Sequence, residues 1–196
     1  NLFKNREMLL GLIIIGMILS FTTRAPNFAS PENLANIFND TSILIILALG
    51  QMVVILTKSI DLSVAANLAF TGMAVAMLDS AYPGLPLALL VLVAIGIGAA
   101  LGAINGFLVW ALQIPPIVVT LGTLTIYRGM SFVLSGGAWV NAHQMQPDFL
   151  GVPRLPVLGL PILSWVAIAV ILLIGFILAG FPQLVRREWR SVLAAC

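Results

Sequence analysis

NGFLVWALQIPPIVVTLGTLTIYRGMSFVLSGG, residues 105–137, is apolar enough for a bilayer, yet it is interrupted by Pro115-Pro116, by Gly136-Gly137, by a row of hydroxyls and by Arg128. Each interruption costs helix stability or places a polar group in hydrocarbon. A plain membrane anchor has no use for them. The stretch therefore reads as part of a membrane protein that offers a path to a polar solute.

Composition agrees. Hydrophobic residues make up 61% of the 196 and charged residues 8%, with a mean hydropathy of +1.12, whereas soluble domains carry about 25% charged residues. The net charge of +2 comes with no dense basic face, so nucleic acid is excluded as a partner. The basic residues are topology signals instead. The single cysteine, Cys196, excludes a disulfide framework and a cysteine metal site. No GxxxxGK[ST] loop, HExxH motif or paired carboxylates of one cavity occur, so the chain reads as neither an enzyme nor a holder of metal or cofactor. If ATP drives it, another polypeptide binds that ATP with its Mg.

The expected fold is an all-α, polytopic transmembrane helix bundle of about six spans, one domain over residues 1–181, followed by a basic tail over 182–196. The spans run Met8 to Phe21, Ser42 to Thr57, Leu62 to Leu78, Leu85 to Gly106 or slightly beyond, Pro116 to Leu134, and Pro161 to Phe181. Ser30-Pro31-Glu32 starts a helix, with serine as N-cap, proline in the first turn and an acid beside it. That helix is expected to be short, ending near Phe38 at the membrane surface. With the N-terminus in the cytoplasm, Lys4, Arg6, Lys58, Arg186, Arg187 and Arg190 lie inside, against Arg24 and Arg154 outside, which favours this orientation.

Two polar faces stand out. Asp61, Ser63, Asn67 and Thr71 form a stripe at the start of the third span, directly after a break in which Lys58 and Asp61 sit three residues apart. Asp61 is either the N-cap of that span or, where a discontinuous helix meets a translocation path, part of the path. Thr120, Thr123, Tyr127 and Ser131 share an arc of about 80° on the fifth span, with Arg128 at its margin. Their hydroxyls either bond the carbonyl one turn back or line a route. Arg128 either snorkels to the interface or borders an aqueous cavity. Gly98, Gly102 and Gly106, beside Asn105, have the spacing of a close helix-packing face. His143 reads as an incidental loop residue.

At these residues the chain resembles a known family. ILTKSIDLSVAANLAFTGM resembles the LTGGIDLSVGS region of ribose/xylose/rhamnose-type ABC importer permeases, and residues 105–137 resemble their NGxLVxxxxxPPFIVTLGTxxIYRGxxxxLxGG region. The resemblance covers roughly residues 5 to 181. Within that branch, NDTSILIILALGQMVVILT and GGAWVNAH are most similar to rhamnose permeases. It implies a multi-pass permease of the bacterial inner membrane that pairs with a second permease subunit and with a cytoplasmic ATPase. It also implies that a periplasmic binding protein delivers the monosaccharide. The family's IDLS falls on Ile60 to Ser63, and its PP-IVTLGT on Pro115, Pro116 and Val118 to Thr123.

Two departures accompany the resemblance. Lys58-Ser59 stands where the family often has Gly-Gly, and after about Phe181 the likeness ends, so the chain is expected to be C-terminally truncated or a partial permease. A proton-coupled secondary transporter using Asp61 and Arg128, or a non-transporting permease remnant, remains the alternative.

Overall fold

In the computed structural model the described residues are 6–25 and 27–180, and they form seven α-helices with a small hairpin. The helices are α1 (Arg6–Arg24), α2 (Pro31–Leu56), α3 (Val64–Ala81), α4 (Leu87–Leu112), α5 (Pro116–Ser135), α6 (Pro147–Gly151) and α7 (Ile162–Gly180). By length and composition α2, α3, α4 and α5 are able to cross a membrane, while the apolar stretches Met8–Arg24 and Ile162–Ile177 are shorter. The all-α membrane bundle is thus borne out. The tail over 182–196, with Cys196 and three of the basic residues used for orientation, lies outside the described residues.

The start of α2 matches expectation: the Ser30 hydroxyl accepts from the Asn33 amide at 3.2 Å, and Pro31 opens the helix. Its length does not. The expected surface helix and second span are one continuous helix of 26 residues. The helix continues through Asn39 to Ser42, where Ser42 donates to the Phe38 carbonyl at 2.6 Å and bonds Ser164 of α7 at 3.0 Å. Both serines are buried, so the polar run ties α2 to α7 rather than parting α2 in two.

Two helix groups organise the bundle. α3 packs on α5 and α4, and α2 packs on α7. Ala66, Leu101 and Tyr127 form the core of the first group, with Phe70, Ile97 and Leu124 against it. α1 is exposed along nearly its whole length.

Between α2 and α3 the chain turns on a left-handed Lys58, φ 58°. The Lys58 amide donates to the Ile55 carbonyl at 2.9 Å and the Ser59 amide to the Val54 carbonyl at 3.3 Å. This pair of bonds satisfies the last carbonyls of α2. A lysine there is strained where a glycine would not be. α5 ends similarly on Gly136, φ 60°.

The long connection from α5 to α7 has structure of its own. It carries a 3₁₀ turn at Ala142–Gln144, α6, a second 3₁₀ turn at Val152–Arg154, and a two-residue-per-strand hairpin pairing Pro156–Val157 (β1) with Leu160–Pro161 (β2). Leu158 and Gly159, both at positive φ, make the tight turn.

Candidate functional site

The two polar faces meet. α3 and α5 pack on one another and both bond through their stripes to α4, and the result is a hydrogen-bonded seam. One Asp61 carboxylate oxygen accepts from both the amide and the hydroxyl of Ser63, each at 2.7 Å. That local turn gives α3 its start, while Ser63 is the residue in the N-cap position and makes no side-chain cap. Asn105 of α4, buried, donates to the Ser63 hydroxyl at 2.7 Å and accepts from the Tyr127 hydroxyl at 3.3 Å. Tyr127 also lies 2.8 Å from the Leu101 carbonyl, which accepts from it. Thr120 donates toward the Ile60 carbonyl at 3.3 Å, linking α5 to the break before α3.

Other members of the stripes stay closer to their own helices. Thr123 bonds the Val119 and Thr120 carbonyls at 3.2 and 3.3 Å, and Ser131 bonds the Tyr127 carbonyl at 3.0 Å. Thr71 donates to Asn67 at 3.2 Å, and Asn67 donates to the Gly98 carbonyl of α4 at 3.3 Å. Arg128 is not brought to the seam. One residue beyond Tyr127 turns it about 100° round the helix, and it is exposed there.

At the Asp61 end of the seam the helices splay around an open cavity of about 660 Å³. Small-molecule sites span roughly 300–1,000 Å³. The end of α2 contributes Val54 and Thr57, the break contributes Ser59, Ile60 and Asp61, and α4 and α5 contribute Asn105, Trp110 and Thr120, with Pro115-Pro116 between them. The proline pair serves here as more than a helix start. With Gln113 held left-handed, φ 52°, it turns the chain from α4 into α5 beside the cavity.

The three glycines of that face differ in their surroundings. A Cβ on Gly98 would meet the Asn67 side chain at 3.9 Å, but one on Gly102 or Gly106 would meet nothing within 4 Å among the described residues. Those two glycines line the cavity. Their spacing alone does not distinguish a packing groove from a cavity wall.

One buried group escaped sequence reasoning. Asp79, 1% exposed at the far end of α3, accepts from the Gln146 amide at 2.9 Å and from its side-chain Nε2 at 2.6 Å. It is the single charged residue in Val64–Ala81, and an acid alone in an apolar helix was the signal that could have found it.

The described residues thus form an apolar helix bundle with a buried polar seam that opens on a cavity. Residues 33–181 match the family described as branched-chain amino acid transport system / permease component, and the chain belongs to that family. It is therefore a permease component, and the importer-permease resemblance read from its motifs is borne out. It is 40% identical over 162 residues to the autoinducer 2 import system permease protein LsrC of Enterobacter sp. (strain 638), covering 79% of this chain and 46% of that protein. It is 37% identical over 179 residues to the protein of that name from Klebsiella pneumoniae, covering 91% and 51%. With that of Escherichia coli (strain K12 / DH10B) it shares 34% identity over 178 residues, covering 90% and 50%. The chain thus spans about half the length of these curated relatives. No solved structure matches it significantly.

Proposed function

We propose that this chain forms the translocation path of an ATP-driven, binding-protein-dependent importer for small polyhydroxylated solutes. The solute is a monosaccharide, pentose or deoxyhexose with rhamnose among them, or autoinducer 2. The carrying observation is the cavity of about 660 Å³ at the broken helix before α3, lined by Asp61, Asn105, Thr120, Thr57 and Ser59. Carboxylate, amide and hydroxyls together accept from and donate to a sugar's hydroxyls without demanding a charge on it. The similarity to autoinducer 2 import permeases supports the same class.

On this reading the chain sits in the bacterial inner membrane with its N-terminus cytoplasmic, so the cavity opens toward the cytoplasm. A second permease subunit, a cytoplasmic ATPase that holds ATP and Mg, and a periplasmic binding protein complete the machine. The proton-coupled alternative has less support: Asp61 is engaged by Ser63, and Arg128 stands about 12 Å further along α5 from Thr120.

Uptake of labelled rhamnose, ribose, xylose and autoinducer 2, in cells carrying this chain with its neighbouring transport genes, tests the proposal. Uptake is expected to survive an uncoupler and to stop when the ATPase gene is deleted. The reverse pattern would establish proton coupling, and no uptake of any solute would leave the remnant reading.

A further inference from the structure

The seam has two ends, and they differ. At the Asp61 end the helices are open. At the other, Asp79 lies about 24 Å along α3 from Ser63, close to the thickness of a bilayer core of about 30 Å. There the connection after α5 crosses the end of α3 and is fastened by the two bonds from Gln146 to the Asp79 carboxylate.

This fastening is local. On one side of it a cavity of about 280 Å³ separates Met77 and Ser80 from Ala138 and Trp139. On the other, a cavity of about 320 Å³ separates Leu85 and Leu90 from Asp148 and Phe149. Residues 138–151 are thus tied to α3 through Gln146 between two cavities, while Val152–Arg154 beyond them packs on α2 and α7.

The chemistry of that point is unusual for a plain staple. Burying a carboxylate is costly, and both donors from Gln146 are uncharged. Two charge-assisted hydrogen bonds offset much of that cost while they are made. A neutral amide pair would staple the same segments with no such penalty. A buried charge whose two bonds both come from one residue, Gln146, favours two states: clamped and dry, or released and hydrated.

We propose that Asp79 and Gln146 form the latch of a strap, residues 138–151, that closes the end of the passage opposite the Asp61 cavity. The structure is the latched state, open at Asp61 and shut at Asp79. Release of the two bonds swings the strap off α3 and admits solute at that end. The role in a transport cycle rests on the importer reading, but the latch itself does not.

Met77, beneath the strap, is the reporter. In a Cys196→Ser background, Met77→Cys is labelled with a charged maleimide in open membrane fragments, so that either face is reached. Asp79→Asn removes the charge and sets an amide against the Gln146 donors; it is expected to speed labelling about tenfold or more. Gln146→Ala removes only the Nε2 bond, leaves the backbone donor, and is expected to speed it about threefold. Gln146 lies in the connection, so this second variant keeps the test valid where Asp79→Asn does not fold. Labelling unchanged within a factor of two in the folded variants overturns the latch. Labelling that follows the latch in a protein that imports none of the solutes supports the latch and defeats the importer reading.

Discussion

Asn105 on α4 donates from its amide to the hydroxyl of Ser63, just before α3, at 2.7 Å. Both side chains are buried, and through Tyr127 and Asp61 the bond joins three helices. Asn105→Ala is expected to lower stability by about 1–2 kcal/mol, since it leaves buried partners unmatched in a lipid-embedded bundle. Unfolding of the purified chain in mixed micelles measures it. In a double-mutant cycle with Ser63→Ala the two losses are expected not to add.

Tyr127→Phe keeps the ring in the core and removes the hydroxyl bonded to the Leu101 carbonyl. The loss is expected to be smaller, about 0.5–1.5 kcal/mol. A loss equal to that of Asn105→Ala would mean that the hydroxyl, not the amide, holds the seam.

Lys58 occupies the left-handed position that ends α2. Lys58→Gly is expected to stabilise the chain by about 0.5–1 kcal/mol, because left-handed backbone costs a side-chain-bearing residue about 1–2 kcal/mol and glycine's extra chain entropy returns part of it. Lys58→Ala retains the strain and serves as the control in the same unfolding experiment.

Gly102 has open space where a Cβ would stand. Gly102→Ala is expected to leave the monomer folded and to raise its stability by up to about 1 kcal/mol, the helix propensity difference. Gly102→Leu is expected to fill part of the cavity and cut uptake about tenfold, while Arg128→Gln, on the exposed side of α5, changes it less than about twofold. Loss of oligomer in a Gly102→Ala variant would assign this glycine to packing between subunits.

Much of this was legible before any coordinates. Ser30-Pro31 marked the start of α2 because capping is local, and Pro115-Pro116 marked the start of α5 for the same reason. The split expected between Phe38 and Ser42 is absent, and the partner that Ser42 meets, Ser164, is 122 residues away. Asp79 escaped because its partner, Gln146, is 67 residues away in a connection that showed no periodicity.

The amino-acid sequence by itself determined that this chain lives in a bilayer, where its helices begin, and which permease family it joins. Those follow from composition, from caps that act over one turn, and from motifs contiguous in the chain. Tertiary structure alone decided that the α3 and α5 stripes meet at Asn105, that Gly102 and Gly106 border a cavity, that Arg128 stays outside, and that Asp79 is clamped. Each depends on the rotation of one helix about its axis relative to another, and a turn of about 100° between successive residues moves a side chain from seam to surface.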